Sequence, residues 1–556
     1  MDPALSVLPQ ATGNALYEAK AQALRQRLAS SIPESLRLPS TLLDNLPLDV
    51  TGIPASCGLL TAEELTLTDL DATAIRDKIA AGKLTCVEVV TAFGKRAAIA
   101  QQLVHCLVDY FLDEGIARAK ELDEYFKREG KVVGPLHGVP ISIKEHMPVK
   151  GHYASTGFLS TVQVSPEDCD MVSILRELGA VFYVKTNQPQ TIMHLETHSV
   201  YGRTLNPHNL NVTAGGSSGG ESALIAMKGS PLGVGTDGGG SIRNPCANTG
   251  IYGMRPTGRT MPTNGYLAYD DGHMGFYVAT GPMCRSARDI DLFFGAVRSA
   301  HPELRDPLQL PSPWTTLPQG RKLRVGVMVY DGVVLPQPPM IRALEWAKKK
   351  LEAADNIEVV DYKPYCHAEG YAIIRELYYE DGGNGVRRAL KEGGEDSMPL
   401  TDWVIDPSAV RDHDAQGIWD LHEKRDKFRQ RYWHQWKAQG CDVVLLPPFP
   451  GSANLHDRAR HWSYTAIWNA VDYPGVVFPS GLTVDPALDA SLASDYVPTT
   501  DADKANYADY DVEKMVGSPL SLQLVARRFE DGMLLAAQHV VEEALKRETK
   551  RLGLFQ

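Results

Sequence analysis

At 556 residues, 43% apolar and 22% charged, the chain is long enough for one large α/β enzyme or for two to four average domains, with ample core material. Its 68 acidic against 56 basic residues, a net charge of −12, argue against a nucleic-acid or anionic-membrane partner, which would need a basic face. No stretch reaches the roughly 18 apolar residues of a membrane span, MDPALSVLPQATGNALYEAK has no secretory pattern, and eight scattered cysteines without a C-x-x-C pair fit a reducing compartment, so a cytoplasmic protein is expected.

Residues 14–37 read as a charged amphipathic helix that runs into a Pro-containing linker and packs on the body. They belong to an N-terminal extension over 1–64, ahead of a main domain over 65–550. Gly82 stands where a C′ glycine would stop one helix, and Thr85-Cys86-Val87-Glu88 is a capping box that would start the next, running through Ala97 and Ile99. A third helix is expected from Leu112 to Phe126. In GPLHGVPISIKE the short β-branched run VPISI, bounded by glycine and proline, predicts a buried strand with Lys144 at its polar end. MVSILRELG and AVFYVKT continue an α/β rhythm. A Pro-rich stretch over 301–320 precedes the strand LRVGVMV, and residues 485–513, with eight acids and one lysine, read as a solvated loop.

The glycine-rich stretch Thr213–Pro245 admits four readings. Gly233-Val-Gly235-Thr-Asp-Gly238 formally matches a dinucleotide turn, which requires a following helix; Pro245 needs Asn244 extended and so argues against one. A P-loop fails because Lys228-Gly229-Ser230 has the wrong order. A hydrolase elbow around Ser217 or Ser218 is supported by the helix-like ESALIAMK that follows, but the preceding NPHNLNVTA is a weak strand and no HGGG-type segment is present. The fourth reading is an oxyanion nest: Gly238, Gly239 and Gly240 free the backbone to point several N–H groups into one volume, and Ser241 at its end is placed as a nucleophile. That reading still needs a base, and no histidine lies within the motif.

The segments GGSSGGE, SPLGVGTD and GGSIRNP resemble the signature of the amidase signature family, as does GPLHGVPISIK. The likeness continues through GIYGMRPTGR, DYPGVVFPSG and SPLSLQLVARRFED, and TCVEVVTAFGKRAAIAQQL is most similar to the fungal acetamidase and general amidase branch. The resemblance implies a single large α/β domain, an open, twisted, mixed sheet covered by helices on both faces. It implies a cofactor-free serine amidase acting on small to medium carboxylic amides, with Ser241 as nucleophile, Ser217 as the bridging serine in a cis peptide and Lys144 as base. The oxyanion would be held around Gly238, Gly239, Gly240 and Ser241, with substrate also touching Ser217 and Met193, or Ile192 one place earlier. Two departures stand out: Gly238 occupies a position where many relatives carry a larger residue, and Glu145 follows the lysine where aspartate is usual.

Plainer roles compete for several residues. His194 and His198, four apart, would share a helix face, but no third ligand is evident and packing roles are favoured over a metal, so no metal is expected. Cys246 and Cys284 read as small core residues, and Asp237 with Arg243 as a structural brace. An ammonia-releasing amidotransferase subunit of the same fold, a dead-site binding protein and an elbow-type esterase are the competing functions. The expected partner is a small amide, with neither nucleic acid nor membrane, and a homodimer is compatible with the sequence.

Overall fold

The computed structural model describes residues 14–269, 272–489 and 496–546. Its centre is an eleven-stranded sheet of β1 (Leu107–Tyr110), β2 (Pro140–Lys144), β3 (Val181–Thr186), β4 (Leu232–Asp237), β5 (Tyr252–Arg255), β6 (Ala279–Cys284), β7 (Leu323–Val327), β8 (Ile357–Asp361), β9 (Val443–Leu446), β10 (Gly475–Thr483) and β11 (Pro519–Val525). The spatial order is β1-β3-β2-β4-β6-β5-β10-β11-β9-β7-β8. Strands β3, β2 and β4 run parallel, as do β9, β7 and β8, while the pairs between and outside them are antiparallel, which makes the sheet mixed.

Both faces of the sheet are covered, and the period of two along the strands shows it. On β10, Val476 and Phe478 pack with Met254, Leu522 and Leu524 in the main core, while Val477 between them packs with Ile242, Cys246 and Ala247. On β9, Val443 and Leu445 face the main core and Val444 and Leu446 face an aromatic cluster around Tyr432, Trp436, Trp462 and Trp468. Cys246 and Cys284 are wholly buried among these residues.

Local signals set most of the element ends. The capping box forms as read, with Thr85 accepting from Glu88 N–H and Glu88 reaching back to Thr85 N–H, and the helix runs from Cys86 to Val104. Gly82 takes φ +65° just after the helix Ala72–Ala80, and the third helix, Leu112–Glu129, stops at Gly130 with φ +67°. Pro140 opens β2, where a missing N–H is tolerated. The first helix is shorter than the sequence suggests, Asn14–Ser31, because Ile32 precedes Pro33 and is biased out of the helical region. It lies on the body through buried Ala21, Leu24 and Leu28, with Arg25 Nε donating to Val200 O at 2.7 Å and Arg27 paired to Asp109 at 2.8 Å.

Two expectations are corrected. Residues 485–513 are not simply a solvated loop: within their described part lie the helices Asp501–Ala508 and Val512–Met515, and Asp503 is buried, accepting from Thr499 N–H and Leu335 N–H. Counting acids missed that one of them is a buried acceptor. A helix does follow the glycines, Arg243–Thr249, with Pro245 as its third residue. Proline is tolerated there because a first-turn N–H has no intrahelical acceptor to lose. The dinucleotide reading fails for a different reason: Gly233 and Gly235 lie inside β4 and not in a strand-to-helix turn.

Candidate active site

Two neighbouring parallel strands and the loop before the helix Gly219–Ala226 converge on one point. Lys144 ends β2 and is fully buried, its Nζ 2.7 Å from Ser217 Oγ and 3.1 Å from Thr236 Oγ1. Ser217 follows a cis Gly216–Ser217 peptide and precedes the helix Gly219–Ala226. Thr236 lies near the end of β4, and the chain then enters the glycines that lead to Ser241, whose carbonyl accepts from Ser218 N–H at 3.1 Å. Ser217 and Ser241 both line a cavity of about 430 Å³, together with Gly238, Thr191, Ile192 and Met193. Thr191 and Ile192 take φ of +68° and +63°, a left-handed turn that presents this segment to the cavity, so Met193 and Ile192 both face it. Aromatic and thioether groups complete the wall, among them Tyr266, Tyr269, Phe276, Tyr378, Met261 and Met274.

Burial pushes the Lys144 amine down to about 7, against the opposing pull of Asp237, Glu221 and Glu145. Such an amine is free of its proton in an appreciable fraction at neutral pH and can take one from a hydroxyl. Glu221, on the helix after Ser217, is buried and pushed up to about 8; it bonds Ser142 Oγ at 2.5 Å and Thr186 Oγ1 at 2.8 Å. It thereby clamps β2 and β3 to the loop that carries Ser217. Glu145 points away from the cavity into a bond with Ser155, and burial pushes its carboxyl up as it pushes Lys185 down.

The glycine turn is fixed by its carbonyls. Tyr378 Oη donates to Gly238 O at 3.0 Å, Thr465 Oγ1 to Gly239 O at 2.8 Å and Asn244 N–H to Gly240 O at 2.7 Å. In a trans peptide the N–H points opposite to the C=O, so these bonds aim the amides of Gly239, Gly240 and Ser241. One of them departs from the sequence expectation: Gly240 N–H donates to Asp237 Oδ1 at 2.8 Å and is turned to the brace. Gly240 itself, at φ +129°, takes a conformation closed to side-chain-bearing residues. The brace forms as read, with Arg243 Nε and Nη2 on the two Asp237 oxygens at 2.9 and 3.0 Å, both residues fully buried. Arg243 holds the Asp237 carboxyl well below the usual carboxylate range and also reaches Asn469 and Gln523.

His194 and His198 do not share a helix face. His194 is buried in the irregular segment after the turn at 191–193 with Nε2 3.0 Å from Thr401 Oγ1, and His198 sits on a two-residue strand with Nδ1 3.4 Å from Arg203 Nη2. Among the described residues no histidine, cysteine or carboxylate cluster has the makings of a metal site.

The model of the family described as Amidase matches residues 88–535. The chain belongs to the amidase signature family. This amidase, a hydrolase of amide bonds, is 45% identical over 510 residues to the amidase-family protein C550.07 of Schizosaccharomyces pombe, covering 91% of this chain and 95% of that one. It is 36% identical over 548 residues to the acetamidase of Aspergillus oryzae, covering 96% and 99%. Among solved structures it matches a fatty acid amide hydrolase at TM-score 0.91 and 34% identity, covering 98% of each chain. The large mixed α/β domain is therefore the amidase signature fold. Among the described residues of this amidase no helix is long and apolar enough to cross a membrane.

Sequence reasoning missed Thr236, His146, Phe276 and Tyr378. Thr236 precedes Asp237 inside the motif SPLGVGTD and His146 follows Lys144 by two, so both were within reach as neighbours of singled-out residues. Phe276 and Tyr378 lie far along the chain and carry no local signal.

Proposed function

We propose that this amidase hydrolyses small to medium carboxylic acid amides through an acyl-serine intermediate, with Ser241, Ser217 and Lys144 as its relay. The observation that carries the reading is the 2.7 Å contact of a buried lysine amine with Ser217 Oγ, at the floor of a cavity that Ser241 also lines. Neutral Lys144 takes the proton of Ser217 while Ser217 takes that of Ser241, whose oxygen bonds to the amide carbon. The negative oxygen of the tetrahedral intermediate is received by the amides of Gly238, Gly239 and Ser241; losing one such donor costs about a hundredfold or more. Ser217 returns a proton to the leaving nitrogen, the C–N bond breaks, and ammonia or an amine departs. Water then attacks the Ser241 ester, gives its proton to the same relay and releases the acid. The relay closes without a cofactor, and the unpaired cysteines suit a cytoplasmic setting.

Ammonia release from a panel of primary amides tests the reading. Purified protein is expected to turn over several of them after exhaustive chelation, and Ser241→Ala to abolish all turnover. Full activity in Ser241→Ala, or activity restored only by a divalent ion, would overturn it.

A further inference from the structure

A neutral primary amine has two N–H donors and one lone pair. A base works only if the lone pair faces the proton it takes, so something has to choose among the rotations of the Lys144 amine. The neighbouring strand supplies it. After Lys144 the chain turns, with Met147 N–H donating to Lys144 O at 3.1 Å, and this brings His146 back beside β4. His146 Nε2 lies 2.9 Å from Thr236 Oγ1, the same oxygen that stands 3.1 Å from Lys144 Nζ. Its other nitrogen, Nδ1, faces Leu267 O at 3.3 Å, and Leu267 N–H donates back to His146 O at 3.0 Å.

These contacts have only one consistent direction. A carbonyl oxygen can only accept, so Nδ1 of the neutral ring carries the proton and Nε2 is the acceptor. Burial, with Lys144 close by, holds the ring well below the usual histidine range and hence neutral. Thr236 O–H must then donate to Nε2. Its oxygen is left to accept, and the donor it accepts from is Lys144.

We propose that His146 is a positioning residue for the base: through Thr236 it commits an N–H of Lys144 and so leaves the amine's lone pair to Ser217. This inference rests on the relay reading above. Without an acceptor at position 146, the Thr236 hydroxyl rotates and donates into the Lys144 lone pair, in competition with Ser217. His146 and Thr236 both line the cavity, but the exchange moves one hydrogen bond and leaves the rest of the wall in place, so its main effect falls on proton transfer.

Steady-state kinetics on the best amide of the panel test it, with His146→Leu, His146→Phe, His146→Gln, Thr236→Val and the His146→Leu/Thr236→Val double variant, each checked for a cooperative melt. His146→Leu and His146→Phe are expected to lower kcat by about 10- to 100-fold, the range for a misoriented catalytic group, with KM within about twofold. His146→Gln, which restores an acceptor, is expected to recover most of kcat. Adding Thr236→Val to His146→Leu removes the competing hydroxyl and is expected to raise kcat several-fold above His146→Leu alone, an effect that a merely structural role does not produce. Should His146→Leu fail to fold, His146→Phe and its combination with Thr236→Val carry the same comparison. Unchanged kcat in the Leu or Phe variants, or a loss that Thr236→Val only deepens, overturns the inference. Lys144→Ala, run alongside, separates the two claims: activity surviving in it overturns the relay itself, whereas a dead Lys144→Ala beside a fully active His146→Leu overturns only the role of His146.

Discussion

Lys144 is kept in a place that favours its uncharged form, and this has opposite effects on activity and stability. Activity is expected to rise through about pH 7, as the amine with its value near 7 loses its proton. For stability, the folded value of about 7 lies below the ordinary 10.5, so between these the unfolded chain binds more protons and stability from this group rises with pH. Below pH 7 the burial penalty is at its full size. Lys144→Met escapes it at the expense of leaving Ser217 and Thr236 short of a partner. It is expected to be inactive yet more stable by on the order of 2 kcal/mol at pH 6, an advantage that shrinks as pH approaches 10. Melting curves of both proteins across that range check it; a constant difference contradicts it. Gly238 is a second case in which one residue's chemistry depends on another's bulk. A Cβ there would lie 2.8 Å from the Phe276 ring, which stands edge-on to Tyr378 with centroids 4.8 Å apart, and Tyr378 Oη holds Gly238 O. An aromatic ring thus occupies the space that a side chain at this position would need. Gly238→Val is expected to lower kcat/KM by about tenfold or more, since it displaces a ring that packs on Tyr378, whose hydroxyl orients the Gly238–Gly239 peptide proposed to receive the oxyanion, and Phe276→Ala added to it is expected to restore part of the loss. Kinetics of the single and double variants decide, and strict additivity would refute the pairing.

Among the elements, the helix Arg243–Thr249 does more for the site than its length suggests, because its first residue pins Asp237 and Asp237 pins Gly240 N–H. Arg243→Met leaves a buried carboxylate without its counter-charge and is expected to cost about 3–5 kcal/mol, read as a large drop in Tm. Lysine at this position restores charge but not the fork that spans both carboxylate oxygens, so Arg243→Lys is expected to fall between. Equal melting temperatures for the three proteins contradict the brace. The elements best read from sequence are those whose signal is local. A capping box fixed the start of Cys86–Val104, and a short β-branched run bounded by glycine and proline marked β2 and so put Lys144 at a strand end. The helix at Pro245 was misread because the bias of a pre-proline residue toward extended backbone was taken as decisive, whereas Asn244 is helical in a first turn held by other contacts. The buried acid Asp503 was misread because charge density describes a segment's average and not the one carboxylate that finds N–H partners inside.

At the scale of the whole molecule, the serine pair could be singled out because both lie in one glycine-rich stretch, and Lys144, 73 positions before Ser217, only through the family resemblance of a separate segment, while most of the cavity around them could not be read. Its walls come from residues 191–193, from 259–269 and 272–278, from the Pro-rich stretch at Asp306 and Leu308, and from Tyr378, brought together by the order of an eleven-stranded sheet. Pairings such as β5 with β10 join residues more than 200 positions apart and leave no periodic trace in either segment. The same assembly makes one hydroxyl different from its neighbours: Ser241 ends the glycine turn, while Ser217 faces Lys144 and Ser218, at the head of a helix it does not cap with its side chain, donates its hydroxyl to Thr236 O at 3.4 Å. A serine-directed fluorophosphonate, followed by peptide mapping of the adduct by mass spectrometry, measures that difference directly. Adduct is expected on Ser241 alone, forming far more slowly in Lys144→Ala and Ser217→Ala, and little slower still in the double variant because the relay acts as a unit. Adduct on Ser217 or Ser218 with Ser241 unmodified, at a rate indifferent to Lys144, would contradict the assignment.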